Sequence, residues 1–175
     1  MVAVDRVRAA VVYERPVDHL VTAAKFTGRL DCAHALGELL ACQLQREAQV
    51  TRCELVIPVP LHPARLARRG YNQAAVVGAA AARAVGLPFK ARLCRRRVST
   101  SAQSGLARGA RRANVRDAFV GSDALAGVKL AIVDDVVTTG HTLSALACAL
   151  REAGAAHVEA WCAARVVSGQ GPRKM

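Results

Sequence analysis

The chain reads as an α/β fold with a central, mostly parallel sheet flanked by helices, and three observations lead there. Apolar runs short enough to be strands alternate with stretches of helical periodicity. Within the strand over 128–133, residues 130–133 are apolar throughout, as a strand covered on both faces must be. Aromatic residues make up only 3% of the chain, so Ala, Val and Leu must fill the core, which suits helices packed on a sheet.

In order, residues 7–13 form a β-prone run. After Pro16, residues 17–45 carry apolar side chains at helical spacing (Leu20, Val21, Ala24, then Leu36, Leu39, Leu40), broken near Gly28, which predicts two helices. Residues 55–59 are a compact apolar strand closed by Pro58 and Pro60. Arg65, Arg68, Arg69 and Gly70 then read as a basic turn, followed by an Ala-rich helix over 73–85 that Gly86 and Pro88 end. Between Arg92 and Arg116 periodicity disappears while eight arginines accumulate without one acid, which predicts a long mobile loop with a function. Order returns with strands over 115–120 and 128–133, a helix over 143–153 and a strand over 158–164 that carries Trp161 into the core. Strands separated by helices predict parallel pairing through right-handed crossovers. The expected organisation is one domain over 1–175: an N-terminal strand and helices over 1–50, a core over 51–167 and a flexible tail over 168–175.

With 175 residues, 53% of them hydrophobic, one domain can bury a sizeable core. Lys and Arg number 25 against 13 Asp and Glu, a formal charge of +12, so the field attracts phosphates, nucleic acid or anionic lipid. Few aromatics are available to stack bases, which weakens a reading based on RNA stacking. The six cysteines contain no C-x-x-C pair and several lie in apolar segments, so they read as small buried hydrophobes in a reducing compartment. Charged residues interrupt the N-terminus (Asp5, Arg6, Arg8) and no stretch reaches about 20 apolar residues, so neither a signal peptide nor membrane insertion is expected. A cytoplasmic protein is the expectation.

The chemistry concentrates where the buried strand meets Asp134 and Asp135, then Val136, Val137, Thr138, Thr139, Gly140, His141 and Thr142 at a helix start. The carboxyl end of a parallel strand is where open α/β sheets put ligands. Hydroxyls and closely spaced N–H groups at the positive end of a helix make an anion site that a monophosphate fits. Carboxylates repel phosphate but accept hydrogen bonds from sugar hydroxyls, so the combination describes a ribose 5-phosphate. The plainer alternative is that Asp135 and Thr138 cap the helix and Asp134 is solvated. His62 and His141 lie in the two loops and are open to either ligand contact or local hydrogen bonding; His19, His34 and His157 carry no signal.

Residues 132–142 resemble the phosphoribosyl-pyrophosphate signature of type I phosphoribosyltransferases. The segment from Pro58 through His62, Arg65, Arg68, Arg69, Gly70 and Tyr71 to Gln73 resembles the characteristic segment of the ComF family. Thr100 to Leu106, with Arg111, Asn114, Ala118 and Phe119, resembles that family's middle motif, and Lys25-Phe26 stands in the expected place. The resemblance runs from about Tyr13 to Arg165. It implies a type I phosphoribosyltransferase fold with a mobile hood loop, in which Asp134 and Asp135 hold the ribose hydroxyls and serve catalysis while Val137 to Thr142 hold the 5-phosphate. It further implies Arg65, Arg68, Arg69, Arg97, Gln103, Arg111 and Asn114 as candidates beside the pyrophosphate or in the hood, and Mg2+ as the ion bound with phosphoribosyl pyrophosphate, without protein side chains assigned to it. Members of the family are linked to DNA uptake, so DNA gripped by the Arg92 to Arg116 loop is the rival partner. Many relatives begin with a C-x-x-C zinc segment; nothing before Val11 here contains cysteine, so either this branch lacks the segment or the chain is trimmed, and no structural zinc is expected. The acceptor of any transfer, and the oligomeric state, have no signature.

Overall fold

The computed structural model describes residues 3–47, 52–97 and 118–167. Four strands form one sheet: β1 (Arg6–Val12), β2 (Leu55–Pro58), β5 (Lys129–Val137) and β6 (His157–Arg165). Their order is β1-β6-β5-β2, and every neighbouring pair is parallel. A parallel sheet must be covered on both faces, and side-chain alternation sorts the two covers. Leu130 and Ile132 of β5, with Leu55, Ile57, Val158 and Ala160, pack with Leu143, Leu146 and Leu150 of helix α5 (His141–Glu152). Ala131 and Val133, with Val56, Trp161 and Ala163, face Leu36, Leu40 and Leu44 of α2 (Leu30–Arg46), and Val77 and Ala81 of α4 (Gln73–Ala84). Helix α1 (Val17–Phe26) adds Val17 and Val21 to that second layer.

The small residues of α4 let it lie close to its neighbours. A Cβ added at Gly37 would stand 2.9 Å from the Ala80 Cβ, and one at Gly78 2.9 Å from the Phe89 ring and 3.4 Å from the Val133 Cβ. The Ala-rich face of α4 is thus used inside the chain, against α2 and the sheet.

Two expectations need correction. The basic stretch after Pro60 is a helix, α3 (Pro63–Arg69), and not merely a turn. Pro63 occupies its first turn, the His62 Nδ1 accepts from the Ala64 N–H, and Gly70, at φ 79°, closes it in the left-handed conformation that glycine adopts without cost. The loop expected from Arg92 begins with a strand instead: β3 (Cys94–Arg96) pairs antiparallel with β4 (Phe119–Gly121), the part of the 115–120 strand within the described residues. Gln103, Arg111 and Asn114, together with most of the expected hood, lie outside the described residues. The other elements match their predicted positions, except that β5 runs four residues beyond the predicted end and carries both acids within it.

Candidate phosphoribosyl site

The acids sit at the carboxyl end of β5, and the loop after β2 is tied alongside them. Val59 donates to the Val133 carbonyl at 2.8 Å, and the Asn72 amide donates back to the Val59 carbonyl at 3.0 Å. Each carboxylate also accepts from the next backbone N–H: Asp135 N to Asp134 Oδ1 at 2.9 Å and Val136 N to Asp135 Oδ1 at 2.8 Å. The plain alternative of helix capping fails here, since neither acid caps α5. The helix starts at Gly140, φ 73°, with no side-chain cap, so its first N–H groups are left to a ligand. Thr138 and Thr139 are exposed on the turn, and the His141 Nδ1 lies 2.7 Å from the Thr139 Oγ1.

The two acids have different surroundings. The buried Asp135 faces Lys25, whose Nζ is 3.0 Å from its Oδ2. Burial, and then the adjoining negative charge of Asp135, push the Asp134 carboxyl well above the ordinary carboxylate range, with Lys25 offsetting part of the rise. Asp134 is therefore suited to keeping its proton and donating a hydrogen bond, beside a carboxylate that accepts one, and a vicinal diol takes both.

Arg96 stands within electrostatic reach of Asp134. Burial, then the charge of Arg65, lower the Arg96 guanidinium from its ordinary value, and Asp134 opposes them, so Arg96 lies within electrostatic reach of both an arginine from another element and the acid. Arg96 also lies over the Phe119 ring, 5.3 Å from its centroid. Of the arginines expected from sequence, Arg65 belongs to this group. Arg68 is exposed, and Arg69 turns away, donating to the Gln73 Oε1 at 3.2 Å and resting 5.7 Å over the Phe26 ring. Arg97 is exposed at the end of β3, where its N–H donates to the Ala118 carbonyl.

Lys25 and Arg96 are missing from the candidates named by sequence. The signal for Arg96 is strand alternation, which puts it on the face of the buried Cys94 and turns Arg95 and Arg97 outward. For Lys25 there was only its place in a motif. Its aim comes from tertiary contacts: the Ala24 carbonyl accepts from the Tyr71 hydroxyl at 2.6 Å and from the Gln73 amide at 3.0 Å, fixing the last turn of α1 beside the acids.

Comparison with known proteins agrees with this architecture. No family model matches the chain. It is 34% identical over 158 residues to the DNA utilization protein YhgH of Salmonella typhimurium, across 89% of this chain and 70% of that protein. It is 33% identical over 159 residues to competence protein F of Haemophilus influenzae, across 87% and 69% respectively. Among solved structures, the glutamine phosphoribosylpyrophosphate amidotransferase of B. subtilis, complexed with ADP and GMP, superposes with a TM-score of 0.51 at 20% identity. That match takes in 75% of this chain but only 26% of the amidotransferase, and it shows the fold alone. With a type I phosphoribosyltransferase fold and relatives of this identity across most of its length, the chain belongs to the ComF family, that of competence protein F and the DNA utilization proteins.

Proposed function

We propose that the protein binds 5-phosphoribosyl 1-diphosphate with magnesium at the carboxyl end of β5. The observation that supports this most is the joining, at one strand end, of two adjacent carboxyls, one of them paired with a lysine, with an uncapped helix start. The turn over Thr138, Thr139 and Gly140 would take the 5-phosphate, with His141 and Thr142 at the helix start behind it. Asp134 and Asp135 would take the ribose hydroxyls, and Arg65 and Arg96 would face the pyrophosphate. The donor set, two acids with one engaged by Lys25, fits a cation carried in on phosphate oxygens better than one caged by the protein. Magnesium there would neutralise charge on the pyrophosphate.

If transfer occurs, the bond from the anomeric carbon to pyrophosphate breaks as the acceptor's bond forms. Asp135, the lysine-paired carboxylate, would favour the positive charge that develops on the ribose, and the arginines the negative charge on the leaving group. The acceptor is not named by any feature of the site. The cysteines, none of them in a disulfide, support a reducing, cytoplasmic setting.

Calorimetric titration with phosphoribosyl pyrophosphate and magnesium tests the reading. The expected result is magnesium-dependent binding that Asp134→Ala/Asp135→Ala weakens at least about 100-fold, the loss of one charge-assisted and one neutral hydrogen bond. A folded native chain that takes up no ligand would refute it. A second reading, in which the protein serves DNA uptake and the sugar-phosphate site is a sensor or a vestige, is favoured by the names of the relatives, DNA utilization protein and competence protein F.

A further inference from the structure

At the opposite, amino-terminal end of the strands, three side chains of metal-binding type meet. Cys53 precedes β2, His157 opens β6 and Glu159 follows two residues later on the same face; one ligand atom from each lies within 4.8 Å of the other two. Cys53 and Glu159 are buried, and His157 keeps 22% of its side chain exposed, so the cluster has one open side.

The hydrogen bonds around His157 make the cluster more than a coincidence of residue types. Its Nδ1 is 3.1 Å from the Asp5 Oδ2, an oxygen also held by the Val158 N–H at 2.8 Å and the Arg151 guanidinium at 2.6 Å. That firmly fixed acceptor favours the proton on Nδ1. With the proton on Nδ1, the Nε2 lone pair faces the Glu159 Oε1 at 3.4 Å, and a cation set between them would be held by both. The other oxygen of Glu159 is taken by the Arg8 Nε at 3.0 Å and the Trp161 indole at 2.9 Å, whereas Oε1 meets the His157 ring. Asp5 holds the imidazole as the outer carboxylate holds a ligating histidine in zinc proteins.

We propose that Cys53 Sγ, His157 Nε2 and Glu159 Oε1 bind a divalent transition metal, zinc by their softness and number, with the fourth position open toward solvent. Closing from the present spacing to tetrahedral contact needs movements of about 1 Å, within reach of side-chain rotation. The expectation of no structural zinc rested on the missing C-x-x-C pairs. It could not foresee this set, whose members the sheet brings together from distant parts of the sequence.

The test is titration of the chelator-treated full chain with Co2+, a spectroscopic substitute for zinc. One equivalent is expected to give visible bands of tetrahedral intensity and a near-ultraviolet sulfur-to-cobalt charge-transfer band. Cys53→Ser should abolish the charge-transfer band, His157→Ala should weaken uptake at least about 10-fold, and Cys42→Ser, at an exposed cysteine elsewhere, should change neither. Absence of stoichiometric cobalt uptake by the native chain, or a charge-transfer band that survives in Cys53→Ser, would overturn the proposal.

Discussion

Asp134 and Asp135 are adjacent and chemically identical, yet a lysine answers one while burial and a like charge press on the other. The consequence for stability has a definite sign. A carboxyl whose folded value is raised carries no penalty below its unfolded value of 3.8, where it is protonated in both states; above that, the unfolded chain ionises more readily and stability falls until the folded value is passed. Asp134→Asn removes this penalty, so at pH 7 it is expected to stabilise the protein by about 1 kcal/mol or more, since each tenfold gain in a carboxyl's proton affinity on folding is worth about 1.4 kcal/mol. Urea midpoints at pH 4 and pH 7 check it: the gain should appear at the higher pH and shrink at the lower. Both acids, the threonine turn and Arg65 were legible because they sit in a contiguous motif or beside one. Lys25 and Arg96 were less so, since tertiary contacts aim the first and a strand hidden in an arginine-rich run aims the second.

Helices α2 and α4 meet through glycine and alanine, and that contact shows how an element's composition can be read correctly while its use stays open. The Ala-rich helix was evident from sequence, but its partner was not, because a small-residue face suits any close neighbour. Gly37→Val would drive two methyl groups into the space where a single Cβ already meets Ala80 at 2.9 Å and the Val77 Cα at 3.4 Å. The expected loss is about 2 kcal/mol, as overpacking of a close helix contact requires, and thermal unfolding would register it as a drop of several degrees. Helix α3 was misread for another reason: its seven residues hold three arginines and no buried side chain, so no apolar periodicity announces it.

Across the whole molecule, the excess of 25 basic over 13 acidic residues gives the phosphate-seeking charge of +12. If that field serves DNA, affinity for a single-stranded oligonucleotide should fall with salt by about 0.7 in log K per log unit for each phosphate held, and anisotropy titrations between about 50 and 200 mM salt would measure the slope. No binding at the lowest salt would remove DNA as a direct partner. No helix among the described residues is long and apolar enough to cross a membrane. At this scale the parallel sheet and its two covers were legible from alternation of element types, and the turn over Thr138, Thr139 and Gly140 came with them. The cluster of Cys53, His157 and Glu159 was not, because strand order, which no local pattern encodes, sets its members side by side.

That strand order also sets a timetable for synthesis. Strand β6 lies inside the sheet, between β1 and β5, although it comes last of the strands among the described residues. Arg8 and Glu159, bonded to each other across the β1–β6 border, are 151 positions apart. At about 5–20 residues per second, roughly 8–30 s separate their emergence from the ribosome. Throughout that interval β1 has no strand to pair with and one edge of β5 stays open, so the nascent chain presents an adhesive edge until its final strand arrives to fill the gap.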